Sequence, residues 1–302
     1  MRPFFLQYYF HYTRCKNSNN KSNQNNIFIL LHSIMKNKIS IITGASSGIG
    51  KALAYELAQQ DFNVVLVARR KNLIDTISED IESKYGVKAL AIEADVTIEK
   101  DCKMFIEKAI NEFGSIDILI NNAGISQRAM FADLQLDVIK KVMDVNYWGT
   151  VYSTKYALPY ILKTKGSIVA VTSISGMQPL PARTGYCASK YAVHGFMDSL
   201  RIEHLKTGVH IMIAAPEYVK SEIREHALMS DGNEQGESPR NEKGMLSAET
   251  AAKRIVKGIR KRRRTMLIGY KGIMAVGLAR FTPKFMDRLT YHVIQKEENS
   301  PY

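Results

Sequence analysis

From Lys36 onward the chain alternates two hydrophobic periods. Short, β-branched apolar runs predict strands at Ile39–Thr43, Asn63–Ala68, Ala89–Glu93, Ile116–Asn121, Ser167–Thr172 and Val209–Ala214. Longer stretches with apolar positions every three or four residues predict helices at Ile49–Gln60, Lys71–Tyr85, Ile98–Phe113, Asp137–Lys163 and Thr184–Lys206. Near-continuous apolar strands joined by crossover helices need a parallel sheet covered on both faces. The expected fold is therefore α/β, a doubly wound parallel sheet forming a single domain over residues 35–270. A polar segment, 222–246, breaks the pattern with Asp-Gly, Gln-Gly and Ser-Pro turn signals and is expected to act as a lid loop. After it, residues 271–302 are expected to form an amphipathic C-terminal helical extension. There Ile273, Met274, Val276, Leu278, Phe281, Phe285, Met286 and Leu289 are interleaved with Arg280, Lys284 and Arg288.

The first 34 residues do not fit this alternation. Asn17–Asn26 is an Asn-rich polar stretch that offers no packable face. Ile27–Ile34 is apolar but interrupted by His32, and it is far short of the roughly 20 residues that span a bilayer. No secretory cleavage pattern is visible. Residues 1–34 are expected to be disordered or an extension absent from the natural protein, with Met35 as its start; a short membrane or partner anchor is the alternative.

Composition narrows the class. With 302 residues, 45% hydrophobic and 24% charged, the chain suits one large α/β domain. Its 42 Lys and Arg against 29 Asp and Glu give a net charge of +13. The excess sits at Arg2, Arg14, Lys16 and Lys21 in the tail, and at Lys253, Arg254, Lys257 and residues 260–264 on a predicted amphipathic helix and its end. That placement describes a solvated helix face and no nucleic-acid site; contact with anionic lipid is the alternative. Cys15, Cys102 and Cys187 are far apart and lack metal-ligand spacing. A reduced, cytoplasmic setting without a metal site is expected.

The candidate chemistry begins at TGASSGIG, residues 43–50, between the first strand and first helix. A strand that turns sharply into a helix while its backbone approaches a pyrophosphate needs positions without a Cβ, which Gly44, Gly48 and Gly50 supply. The helix then offers free N–H groups and its positive dipole end to phosphate. The spacing is G-x-x-x-G-x-G, not the more familiar G-x-G-x-x-G. Ligands of a doubly wound sheet sit at the carboxyl ends of the strands, where this chain has Asp95, Asn121–Gly124, Ser173 and Pro216. Tyr186 and Lys190 are one turn apart on one helix face. An ammonium beside a phenol lowers the phenol's pKa from about 10 toward neutrality and equips it for proton transfer. The same Tyr-x-x-x-Lys spacing recurs at Tyr12 and Lys16, so the pair alone says little.

In order and at these spacings, the motifs resemble the short-chain dehydrogenase/reductase superfamily over nearly all of residues 36–270. TGASSGIG resembles its T-G-x-x-x-G-x-G loop, Asn121-Asn122-Ala123-Gly124 its N-N-A-G strand end, and Tyr186/Lys190 its Y-x-x-x-K pair. Ser173 and Asn146 (in VNYWG) stand thirteen and forty residues before Tyr186, as in the family's Asn-Ser-Tyr-Lys tetrad. The resemblance implies a Rossmann fold that binds a nicotinamide dinucleotide. The residues expected to line the cofactor are Gly44, Ser46, Ser47, Gly48, Ile49, Gly50, Asp95, Val96, Asn122, Ala123, Gly124, Tyr186, Lys190, Pro216 and Val219. It further implies that Tyr186 passes a proton to a carbonyl oxygen that Ser173 hydrogen-bonds. Lys190 would hold the nicotinamide ribose and depress the Tyr186 pKa, and Asn146 would hold a proton-relay water. Asp95 is read as an adenine contact, as a helix N-cap, or as both. Asn121 and Asn122 are read as bracing the sheet or lining the cofactor. Family members associate, which implies a homodimer or homotetramer through the helices 137–163 and 184–206. The C-terminal extension resembles those of members acting on lipid-like substrates and either lies on a membrane surface or folds over the pocket.

Arg69 ends the second strand, where an acidic residue would hydrogen-bond the free ribose hydroxyl of NAD; a guanidinium pairs instead with the 2′-phosphate of NADP. Arg70 stands next to it. NADP is therefore expected over NAD. Two departures from the family stand out: Glu217 replaces the usual Gly after Pro216, and Ser221 replaces a Thr. If position 217 needed φ > 0, a side chain there would cost on the order of 1 kcal/mol. The expected function is NADP-dependent interconversion of a secondary alcohol and a carbonyl on an apolar or lipid-like small molecule. A cofactor-binding regulatory or scaffold protein is the alternative, with Glu217 its supporting feature.

Overall fold

The computed structural model describes residues 38–238, 244–296 and 300. The expectations for residues 1–34, Tyr12/Lys16, Cys15 and Met35 lie outside the described residues. Seven parallel strands are laid down in the order β3-β2-β1-β4-β5-β6-β7. They are β1 (Ile39–Thr43), β2 (Asn63–Ala68), β3 (Ala89–Glu93), β4 (Ile118–Asn121), β5 (Ser167–Val171), β6 (His210–Pro216) and β7 (Thr265–Ile268). Every residue of β1, β4, β5 and β6 is buried, which follows from covering a sheet on both faces. β1 lies between β2 and β4, with Ile41 paired to Val65 on one side and to Leu119 on the other. The chain leaves β1 in one direction and returns to its other edge at β4. This reversal opens a crevice beyond the carboxyl ends of the two strands.

The helices are α1 (Gly48–Ala58), α2 (Lys71–Tyr85), α3 (Glu99–Phe113), α4 (Leu136–Met143), α5 (Gly149–Thr164), α6 (Thr184–Glu203), α7 (Ala248–Arg260), α8 (Tyr270–Phe281) and α9 (Pro283–Gln295). Helices α3, α5 and α6 cover one sheet face through Phe105, Ile106, Ala157, Ile161, Val193 and Met197, which meet Ile39 and Ile41 of β1. Alternation sends Ile42 to the other face, where α1 buries Leu53 and Leu57 and α7 buries Ile255 and Val256. Each such side chain contributes about 1.5–3 kcal/mol on leaving water. Lys253, Arg254, Lys257 and Arg260 of α7 are exposed, the solvated face expected for that basic run.

Three sequence expectations differ from the structure. β7 was not expected; of its four residues only Ile268 is fully buried. The single helix expected over 137–163 is interrupted by a π turn at Asp144–Trp148 between α4 and α5. Asp95 does not cap α3, whose N-cap is Ile98. Its carboxylate instead accepts the Thr97 amide and hydroxyl, each at 2.9 Å. Among the described residues no helix is long and apolar enough to cross a membrane, and no cluster of His, Cys, Asp or Glu is arranged to hold a metal.

Candidate active site

A cavity of about 480 Å³ runs along the carboxyl ends of the strands. At one end are Gly44, Ser46, Ser47, Gly48 and Ile49, with Arg69, Arg70, Asp95 and Val96; at the other are Ser173, Tyr186, Lys190, Pro216 and Val219. Asn122, Ala123 and Gly124 also line it. Two expected site residues do not: Gly50 and Asn146 are buried outside the lining.

The turn after β1 is built for close approach. Gly44 has φ +66°, and a Cβ there would stand 2.8 Å from the Ala123 Cα. Gly50 acts from behind, where a Cβ would meet the Gly44 carbonyl at 2.2 Å and the Asn122 side-chain nitrogen at 2.5 Å. Asn122 closes this packing by donating from Nδ2 to the carbonyls of Thr43 (3.0 Å) and Gly44 (3.2 Å). Asn121 braces the sheet by donating to the Thr154 hydroxyl at 2.9 Å. Ser47, the N-cap of α1, makes no side-chain bond to the helix's free N–H groups. A cradle too tight for any Cβ, with helix N–H groups left over, fits a dinucleotide pyrophosphate.

Arg70 is the basic residue that reaches this turn, which the sequence reading did not single out. Its guanidinium donates to Ser46 Oγ at 3.0 Å and Ser47 Oγ at 2.8 Å, and pairs with Glu222 at 3.3 Å. Arg69 points more into solvent, 4.0 Å from the Asp95 carboxylate. Both line the cavity.

At the other end, α6 carries Tyr186 and Lys190 on its inward face, both buried. Gln127, fully buried and another residue the sequence did not flag, accepts the Tyr186 amide at 3.1 Å and so fixes the start of the helix. Ser173, at the end of β5, shares a hydrogen bond with the Tyr186 phenol. The preceding Thr172 hydroxyl is bonded to His194 at 2.9 Å, one turn beyond Lys190, and burial holds that imidazole down to about 4. The Lys190 ammonium lies 5.7 Å over the Tyr186 ring and donates to the Val171 carbonyl at 3.5 Å.

Burial pushes the Tyr186 phenol above its ordinary value, and the relief comes from Ser173 and from the nearby Arg183 and Arg224. Burial likewise takes the Lys190 ammonium from 10.5 down to about 8. Arg224 is buried in the 222–246 segment and donates to the Val219 carbonyl at 3.0 and 3.1 Å, tying that segment to the loop after β6.

Asn146 lies in the π turn, outside the cavity lining. Its side chain accepts the Ile125 amide (2.9 Å) and donates to the Ile125 carbonyl (3.0 Å) and Ser189 Oγ (2.9 Å), while its own carbonyl takes the Thr150 hydroxyl (2.9 Å). Its side chain brackets the post-β4 loop to α6. Its cost in helix propensity is offset by these bonds and by its place in the π turn. Glu217 is unstrained: it is absent from the non-glycine residues with positive φ.

Residues 38–230 match the family described as short chain dehydrogenase. The chain belongs to that family, whose members are NAD(P)-dependent oxidoreductases. It is similar to an 11-beta-hydroxysteroid dehydrogenase of Pinus massoniana, 39% identical over 201 residues that cover 66% of this chain and 56% of the relative. The match thus spans little more than half of that relative's length. Among solved structures, a Burkholderia phymatum short-chain dehydrogenase/reductase in complex with NAD has a TM-score of 0.75 at 21% identity, covering 83% of this chain and 95% of the other. An alcohol dehydrogenase of Thermococcus sibiricus complexed with 5-hydroxy-NADP has a TM-score of 0.69 at 24% identity, covering 77% and 95%. At these identities the two structures speak for the fold.

Proposed function

We propose that the protein is an NADP-dependent oxidoreductase that interconverts a secondary alcohol and a carbonyl on an apolar, lipid-like small molecule. The observation that carries this reading is one cavity with two chemically distinct ends: a glycine turn with Arg69 and Arg70, and the Ser173–Tyr186–Lys190 group. The bound nicotinamide supplies or accepts the hydride. Tyr186, protonated at neutral pH and pushed further above its ordinary value by burial, donates its proton to the carbonyl oxygen in the reductive direction. Ser173 donates a hydrogen bond to the same oxygen as negative charge develops there. Lys190 binds the cofactor ribose, and Arg183 and Arg224 add positive potential around the phenol. The hydroxysteroid dehydrogenase named among the relatives supports an apolar alcohol as substrate. Buried, unpaired Cys102 and Cys187 support a reducing, cytoplasmic compartment. Exposed Trp148, in the turn that leads into α5, and exposed Tyr191 and Ile202 on α6 support a homodimer or homotetramer through α5 and α6.

NADPH oxidation with a panel of apolar ketones tests the reading. Turnover in the unmodified protein and none in Tyr186→Phe is expected; a panel without turnover, with NADPH still bound, would favour the regulatory alternative.

A specific observation favours peripheral membrane contact as an addition to this reading. Met274, Leu278, Phe281, Phe285 and Leu289 are all exposed on α8 and α9, alongside exposed Arg280, Lys284 and Arg288. Sedimentation with phosphatidylserine vesicles but not with phosphatidylcholine vesicles is the expected result.

A further inference from the structure

Glu217 stands where the family pattern has glycine, and its carboxylate is committed to the C-terminal helices. Its amide donates to the Ile268 carbonyl at 2.8 Å, extending the β6–β7 ladder by one residue. With the main chain fixed there, the side chain reaches the first turn of α8, where Oε2 accepts the Gly272 amide at 2.9 Å. First-turn N–H groups have no partner inside their own helix, and a carboxylate there also meets the positive end of the helix dipole.

Two glycines permit the approach. Gly269, the N-cap of α8, has φ +125°, and a Cβ on it would stand 2.3 Å from Glu217 Oε2. A Cβ on Gly272 would stand 1.6 Å from the Ile174 Cδ1. Ile174 follows Ser173 directly. The start of α8 therefore rests on both segments that flank the Tyr186 end of the cavity, and α9 sends buried Ile294 back into the cavity wall. The phosphate-loop end is walled by different elements, the turns after β1, β2 and β3.

We propose that Glu217 is a positioning residue for substrate: by holding the α8 N-terminus it seats the α8–α9 pair as a wall of the substrate end, so that substrate binding depends on it and cofactor binding does not. This rests on the reading of the cavity given above.

Glu217→Ala and Glu217→Gln in the full chain test it by two independent readouts. Hydrogen exchange of the Gly272–Met274 amides in the ligand-free protein is expected to speed up about fivefold in Glu217→Ala, the scale of losing one helix-end acceptor. Glu217→Gln keeps an oxygen acceptor and is expected to recover most of that protection. In turnover, with the bicyclic ketone decalone as probe, Glu217→Ala is expected to raise KM about fivefold while kcat and the NADPH Kd stay within about twofold. Glu217→Gln should restore KM. Unchanged exchange in Glu217→Ala would overturn the proposal. So would faster exchange with an unchanged KM, or a loss that falls on NADPH affinity. Exchange needs no turnover: a protein that shows the exchange response yet reduces no ketone would support the seating of the helices and overturn the oxidoreductase reading.

Discussion

Replacing Arg70 by Met removes the guanidinium fork and keeps much of the apolar stem. In the structure that fork is held on Ser46 and Ser47 by bonds of 3.0 and 2.8 Å, so it faces the phosphate loop with little rotamer freedom left to lose. A hydrogen bond to a charged group contributes roughly 1.5–3 kcal/mol net. The Arg70 side chain is 45% exposed, so water screens it, and the lower end, about 1.5 kcal/mol, is the appropriate figure. That corresponds to a little over tenfold in Kd. Glu222 lies 3.3 Å from the same guanidinium and would repel a 2′-phosphate. Glu222→Gln is therefore expected to tighten NADPH about two- to fivefold, in the range of an exposed charge pair. The assay is fluorescence titration of NADPH and of NADH against the unmodified protein and both variants at fixed salt. Arg70→Met should weaken NADPH about tenfold and leave NADH unchanged. Equal weakening of both cofactors, or equal affinity for both in the unmodified protein, would refute the reasoning.

Three further outcomes follow from the same geometry. Tyr186→Phe should abolish ketone reduction while NADPH Kd stays within about twofold, since only the proton donor is removed; steady-state kinetics and titration decide it. Lys190 has its pKa lowered from 10.5 to about 8, so between those values the unfolded chain holds a proton that the folded chain has lost, and stability rises with pH across that window. Urea midpoints of the cofactor-free protein, taken relative to Lys190→Met, should show this rise, and a flat difference would count against it. Gly50→Ala, with its Cβ 2.2 Å from the Gly44 carbonyl, should lose NADPH binding and melt several degrees lower by calorimetry, whereas Gly277→Ala, which meets nothing within 4 Å, should not.

The parts of the fold legible in the sequence were those fixed by local period. β1, β2, β3 and α2 fall at the bounds their patterns give: β1 and nearly all of β2 are buried, α2 buries the stripe Ile74, Ile77 and Ile81, and the shallower β3 keeps the short apolar run Ala89–Ile92. β7 escaped because its four residues, of which only Ile268 is fully buried, follow an arginine run and carry no period. At the site, the glycine turn and the Tyr186–Lys190 pair were visible because their spacing is itself the geometry. Arg69 and Arg70 are adjacent in sequence, and only the path of the chain after β2 decides that Arg70 meets the loop serines. Asn146 and Gln127 act on partners 21 to 59 residues away, which no local pattern displays. At Glu217 the sequence shows only a departure from the family's glycine; its partner, Gly272, lies 55 residues on, in a helix whose docking the sequence left open.

The central claim is hydride transfer promoted by Tyr186, and isotope transfer tests it most directly. Incubated with an apolar ketone and NADPH deuterated at the nicotinamide C4 on the transferable face, the unmodified protein should yield an alcohol with one deuterium on the former carbonyl carbon, read by mass spectrometry, and Tyr186→Phe should yield none. Alcohol formed without deuterium from either C4 face, or the same labelled yield from Tyr186→Phe, would contradict the account.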